Sequence, residues 1–174
     1  MVAMAELLEI RPNITQIWDW LEGVSDPEIP VLSVVDLGIV RGVEWKNSGL
    51  LVEITPTYSG CPATSVIALD IETALLKRGI EHIHIQTKLS PVWTTDWISQ
   101  AGRDKLKAYG IAPPVKDASC AGMIKLGGAQ APEVACPRCT SKQTERISQF
   151  GSTPCKAAYR CTSCLEPFDY FKSF

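Results

Sequence analysis

Apolar residues Ile14, Ile17, Trp18 and Leu21 recur at i, i+3, i+4 and i+7, which predicts an amphipathic helix opened by Asn13 and closed near Gly23. Two apolar, β-branched segments follow, Gly38 to Trp45 and Leu50 to Thr57, joined by Lys46-Asn47-Ser48-Gly49 as in a hairpin. From Pro62 to Arg78, residues Ile67, Ile71, Ala74 and Leu75 share one helical face, with Gly79 as the stop. Ile83, Ile85, Thr87 and Leu89 then alternate with His82, His84, Gln86 and Lys88, the pattern of a half-buried strand. A last helix is predicted over Thr95 to Tyr109, ending at Gly110. The order α-β-β-α-β-α predicts a small α/β sandwich with a mixed sheet of three or four strands, spanning residues 1–112.

Periodicity fades between Ala112 and Pro132, a stretch rich in Pro, Gly and Ala that reads as a linker (113–133) or a long surface loop. Cys120 lies in it, with nothing beside it to depress a thiol pKa. Residues 134–174 carry two pairs, Cys136-Pro-Arg-Cys139 and Cys161-Thr-Ser-Cys164, with 21 residues between them. Each CxxC turn brings two sulphurs to one side of an ion, so this spacing predicts a zinc ribbon with a structural, four-thiolate Zn²⁺ and no open vertex for catalysis. A disulphide framework or a redox CxxC would use the same residues. Met1 to Glu9 has neither the basic nor the apolar region of a signal peptide, which favours a cytoplasmic, reducing location and the metal.

At 174 residues, 45% hydrophobic and 21% charged, the chain can bury one core of roughly 100 to 120 residues and carry a metal-stapled appendage. Cys136 to Phe174 holds six basic and three acidic residues, a net of +3, which leaves −5 on the remainder of a chain whose total is −2. That weak, opposed charge argues for protein partners over nucleic acid. No apolar run approaches 18 residues, so no membrane span is expected.

Cys61 is the most chemical position of the first part. It follows a predicted strand and the turn Thr57-Tyr58-Ser59-Gly60, and Pro62 after it suits the first residue of a helix. At an N-cap, backbone N–H groups and the positive helix end favour the thiolate, so the residue reads equally as a metal or sulphur ligand and as an inert cysteine in a tight turn. The acidic runs around Asp26, Glu28 and Asp36 taken alone are capped turns. Cys155 reads as a fifth thiol near the zinc, an alternative ligand, or a buried small residue. Trp93 and Trp97 suit core or a client-facing surface, and Phe168, Tyr170, Phe171 and Phe174 suit the ribbon's own core or a protein-binding patch. His82 and His84 share one strand face without a third ligand, as exposed edge residues do.

The runs Asp26-Pro-Glu28, Asp36-Leu-Gly-Ile-Val40 and Thr55-Pro-Thr-Tyr-Ser-Gly-Cys61-Pro62 resemble the iron–sulphur cluster assembly accessory domain of SufT-type proteins, over roughly residues 14 to 112. With Pro91 to Trp97, Gln149 to Cys161 and Glu166 to Phe171 added, nearly the whole chain resembles the PaaD family, encoded with the multicomponent phenylacetyl-CoA 1,2-epoxidase. The resemblance implies an accessory protein of aerobic phenylacetate catabolism, beside an oxygenase with a di-iron site and a reductase with a flavin and a 2Fe–2S cluster. Two histidines cannot supply a ferritin-like di-iron site, whose two Glu-x-x-His pairs lie on facing helices. In Glu81-His82-Ile83-His84 the Glu-x-x-His begins a predicted strand, where it splits across two faces. No glycine-rich nucleotide loop appears either. The expectation is therefore a maturation factor. Cys61 would be a transient iron or cluster ligand assisted by Asp26, Glu28 and Asp36, with a homodimer partner or the client supplying further ligands. The alternative is a stoichiometric docking component joining reductase to oxygenase.

Overall fold

The computed structural model describes residues 11–58, 60–115 and 133–173. Most of the predicted linker, with Cys120, together with Met1 to Glu9 and Phe174, lies outside them.

Helix α1, Ile14–Leu21, begins where the Asn13 side chain accepts from the Gln16 N–H at 2.7 Å, and it buries Ile17 and Leu21. An irregular stretch then packs Leu32, Val34, Leu37 and Ile39 into the core before β1, Val40–Lys46, turns back antiparallel onto β2, Gly49–Ile54. Gly49 has φ +138°, and a Cβ there would collide with the His82 carbonyl, so only glycine fits this turn. Helix α2, Ala63–Leu76, carries the chain over the sheet to β3, Ile83–Thr87, which pairs parallel with β2. The α2 exit is a Schellman close: Ile80 N–H reaches Leu75 O and Gly79 N–H reaches Leu76 O, with Gly79 at φ +88°. The sheet order is β1-β2-β3, mixed and three-stranded as the pattern predicts.

Several boundaries depart from the sequence reading: β1 begins at Val40 and not Gly38, and β2 ends at Ile54 and not Thr57. Strand β3 ends at Thr87, and Leu89 is exposed. The helix predicted from Thr95 breaks into one 3₁₀ turn, Thr95–Trp97, and α3, Gln100–Tyr109, because Ser99 stays extended and its Oγ accepts from Gly102 N–H at 2.8 Å. A serine offering a cap competes with continuation of the helix, and the cap wins here. Trp93 is core, 1% exposed, donating Nε1–H to Leu37 O. Trp97 is half-buried, and Arg41 stacks over its ring at 3.5 Å.

Beyond α3, the short strand β4, Ile111–Ala112, pairs parallel with β7, Pro167–Phe171, and so joins the ribbon's β5, Thr144–Ser148, and β6, Lys156–Cys161, in one sheet of order β4-β7-β6-β5. Buried Arg103 fastens the exit by donating to Thr95 O and Pro114 O. Strand alternation divides the aromatic tail: Phe168 and Tyr170 face the ribbon core with Tyr159, whereas Phe171 faces the other way. Phe171 and Cys155 belong to the core of the α/β lobe, with the Phe171 ring 6.3 Å from that of Trp93. Among the described residues no helix is long and apolar enough to cross a membrane.

Candidate functional site

Two cysteine-bearing places stand out, one at each end of the ribbon. The first is built from two turns with the same construction. Cys136 N–H donates to Ser141 O and Cys161 N–H to Glu166 O, both spanning five residues. Thr140 and Leu165, each directly after the second cysteine of its pair, hold φ +63° and +64°. These left-handed residues turn the chain so that the two sulphurs of each pair face inward. The four ligand atoms of Cys136, Cys139, Cys161 and Cys164 lie within 4.8 Å of one another, with Cys136 to Cys164 at 3.8 Å and Cys139 to Cys161 at 3.5 Å. A tetrahedron with Zn–S bonds of about 2.3 Å has sulphur–sulphur edges of about 3.8 Å, so the donor set and its spacing fit Zn²⁺. Bound there, the ion supplies folding energy, and the four cysteines fill its coordination sphere.

The second place lies where the α/β lobe meets the ribbon. After β2 the chain turns through Pro56, Thr57 and Tyr58, and Cys61 N–H closes the turn on Tyr58 O at 3.1 Å. Pro62 already has helical angles, φ −67° and ψ −23°, and the Cys61 carbonyl accepts from Thr64 through both N–H and Oγ1. The N-cap of α2 is therefore Pro62, with no side-chain cap, and not Cys61 as the sequence suggests; Cys61 stands one residue before it, at the mouth of the helix, half-buried. Beside it is a cavity of about 20 Å³, whose titratable lining is Asp26, Glu28, Cys61 and Cys155, walled by aliphatic side chains and Phe171.

Asp26 is buried, and its Oδ1 accepts from Glu28 N–H at 2.9 Å and Ile29 N–H at 2.7 Å, which fixes the loop that presents Glu28. Burial raises the Asp26 pKa, against the pull of those two N–H groups and Lys156. Cys155 Sγ lies 3.7 Å from Glu28 Oε2 and 3.0 Å from Thr153 Oγ1. Burial pushes the Cys155 thiol up to about 11, the Thr153 hydroxyl opposing and Glu28 reinforcing. Tyr58 is likewise pushed up to about 12, by desolvation first and then by Cys61, Glu28 and Cys155.

Asp36 does not line this cavity. Its oxygens take Ser33 N–H, Ser99 Oγ–H and the Lys105 ammonium, the last at 2.6 Å, so it locks α3 to the loop before β1. Burial pushes its carboxyl up, but Lys105, Ser33 and Ser99 together bring it below the ordinary value. His82, just before the edge strand β3, and His84 on it are exposed, and His84 Nε2 lies 3.3 Å from Ser48 O. The residue that sequence reasoning did not bring to Cys61 is Cys155. The signal for it was its position as a ribbon cysteine outside both CxxC pairs.

Residues 14–81 match the iron-sulfur cluster assembly protein family, and residues 124–172 match the PaaD zinc beta ribbon domain. The chain is 48% identical, over 92% of its length and 93% of the relative's, to an Escherichia coli (strain K12) protein named as a subunit of 1,2-phenylacetyl-CoA epoxidase. The chain belongs to the PaaD family. Among solved structures, a DUF59 domain from Bacillus anthracis is 26% identical, covering 53% of this chain and 89% of its own at a TM-score of 0.49. A Mycobacterium tuberculosis protein described as associated with Fe-S complex assembly and repair is 32% identical, covering 63% and 96% at a TM-score of 0.34. A PaaD-family chain thus joins an iron–sulphur assembly-type domain to a four-cysteine ribbon, and a relative of the family is placed in the epoxidase system.

Proposed function

We propose that this chain is an accessory maturation factor of the phenylacetyl-CoA epoxidase system, which helps place iron or an iron–sulphur cluster into the reductase or the oxygenase. The observation that carries the reading is the convergence of Cys61, Asp26 and Glu28 on one cavity within the segment that matches iron-sulfur cluster assembly proteins. A thiolate at the mouth of a helix is a soft ligand, and with few protein ligands around it the cargo is held weakly enough to be passed on. Binding releases the thiol proton, and transfer is ligand exchange without electron transfer. Further ligands come from the client or from a second copy of the chain. Asp36 serves through position, by holding the loop and α3 together. The ribbon's zinc is structural.

A docking role is supported by a different surface from the tail, because Phe168, Tyr170 and Phe171 are buried. Leu89 and Val92 are 63% and 73% exposed beside Tyr58, next to the Cys61 turn. Apolar exposure of this size suits a client surface.

The test is production of the reductase and oxygenase components with either this protein or its Cys61→Ser variant, followed by measurement of iron and acid-labile sulphide in each purified partner. An underloaded partner with normal zinc in the variant supports maturation and names the client. Equal loading in both sinks maturation and leaves docking, for which co-elution of the components is the corresponding measurement.

A further inference from the structure

Cys155 has no part in the tetrathiolate group. It enters the α/β lobe from the ribbon, held there by its own backbone, since Lys172 N–H donates to Cys155 O at 2.9 Å, and by Phe171 beside it in the same core. Its sulphur therefore meets residues far away in sequence: Glu28, 127 positions earlier, and the cavity that Cys61 lines. Two thiols and a carboxylate reach one small space from three separate segments.

We propose that Cys61, Cys155 and Glu28 form a binding site for one thiophilic divalent cation, of the Fe²⁺ class, gripped between the α/β lobe and the ribbon of a single chain. The identification of the ion as iron rests on the maturation reading above, whereas the site itself rests on geometry.

A cavity of about 20 Å³ is just above the roughly 10–15 Å³ that one water-sized guest requires, a size that suits a single ion. The spacing also suits a coordinated ion. With metal–sulphur bonds of about 2.3 Å and metal–oxygen bonds of about 2.1 Å, a tetrahedral sulphur–oxygen edge is about 3.6 Å. Cys155 Sγ and Glu28 Oε2 are 3.7 Å apart. Among the described residues only the ribbon cysteines already have every ligand atom within 4.8 Å of one another. The Cys61 set therefore closes on its ion by side-chain rotation, which suits a site that must release what it holds.

Ligand softness favours Fe²⁺ and its thiophilic relatives over Mg²⁺ or Ca²⁺, because two of three donors are sulphur. The local charges agree. Asp26, Glu28, Cys61, Cys155 and Tyr58 crowd together, and the cations interacting with them are Lys156, which also faces Asp169 at 3.7 Å, and Lys172. A divalent ion places positive charge among these acidic groups. Thr153 Oγ1, 3.0 Å from Cys155 Sγ, can donate to the thiolate once it forms. Asp26 acts as a positioning residue by fixing the Glu28 loop. Uptake of one ion by two thiols releases two protons and transfers no electrons. A second cysteine from the same chain reduces the number of ligands that a client or a second copy must add.

The experiment is anaerobic titration of the zinc-loaded full chain with Co²⁺, whose thiolate charge-transfer absorption reports the sulphur ligands, with zinc content followed in parallel. Wild type is expected to take one Co²⁺ per chain beyond the ribbon zinc, with a two-thiolate band. Cys155→Ala and Cys61→Ser should each lose about half the band and bind at least tenfold more weakly, with zinc retained. Glu28→Gln, at a half-buried loop position that does not endanger the fold, should keep the two-thiolate band and bind about tenfold more weakly. A Cys155→Ala spectrum and stoichiometry equal to wild type overturn the proposal, as does an unaltered affinity in Glu28→Gln. The two readings part cleanly. Two-thiolate Co²⁺ binding by the wild type together with full partner loading by Cys61→Ser supports this site and removes maturation. No further Co²⁺ binding together with underloading by Cys61→Ser overturns this site and leaves maturation on Cys61 alone.

Discussion

The two cysteine-bearing places share a strand system and little else. In the ribbon, four sulphurs sit on two local turns of the same construction and already stand at a tetrahedral ion's spacing. At the Cys61 cavity, the titratable groups come from three separate segments, the Asp26–Glu28 loop, Cys61 and Cys155, and their ligand atoms do not all already stand within an ion's reach of one another. Local construction gives a closed, tight site, and long-range construction gives a loose one. A structural ion needs the first and a transferred ion the second. The two are coupled, because the ribbon delivers Cys155 and Phe171 to the lobe that holds Cys61.

That coupling is broken most severely by Cys161→Ser or by stripping the zinc with a chelator. Structural zinc supplies on the order of 10 kcal/mol of binding free energy, so the ribbon should unfold and the α/β lobe should melt earlier, read as two-wavelength circular dichroism against zinc content. Retention of an unchanged lobe Tm would show that the two regions are independent. Phe171→Ala is next: a fully buried ring removed from the lobe core costs about 3–5 kcal/mol in chemical denaturation, with zinc still bound. Cys61→Ser sharpens the comparison from the other side, shifting stability by less than about 1 kcal/mol while lowering iron in the partner.

The smallest expected effects are in pH dependence, where Asp36 and Asp26 have opposite signs. Asp36 has a depressed folded pKa, so its stabilisation is present above 3.8 and is lost as pH falls through the lower folded value. With Lys105 half exposed, Asp36→Asn should cost about 1 kcal/mol at neutral pH and flatten the acid limb of the stability profile. Asp26 has a raised folded pKa, so its ionisation opposes folding as pH rises from 3.8 through that value. Asp26→Asn, which keeps an oxygen acceptor for the Glu28 and Ile29 N–H groups, should be neutral to slightly stabilising at pH 7 by thermal denaturation.

What the sequence made legible follows the same divide. The zinc ribbon and the mixed sheet were readable because their signals are local: CxxC pairs, periods of 3.6 and 2, and glycines at forced turns. That Asp26, Glu28 and Cys61 line one cavity was signalled by the resemblance to assembly-factor motifs, whereas Asp36, drawn into the same set, lies apart on Lys105 and Ser99. Cys155 was not readable as their neighbour, because its approach to Glu28 depends on which face of β7 carries Phe171 and on β4 pairing with β7. The break before α3 was missed for a local reason, since Ser99 fits a helix interior and an N-cap alike until Asp36 and Gly102 are seen to bond it.

The most direct measurement of the central claim loads this chain with ⁵⁷Fe²⁺ under anaerobic conditions, mixes it with iron-depleted reductase or oxygenase, and follows the Mössbauer signal of the separated partner. The account predicts transfer of the label from wild type within the mixing experiment and little from Cys61→Ser, with zinc unchanged in both. Equal labelling of the partner by the variant, or by free ⁵⁷Fe²⁺ at the same concentration, would contradict it.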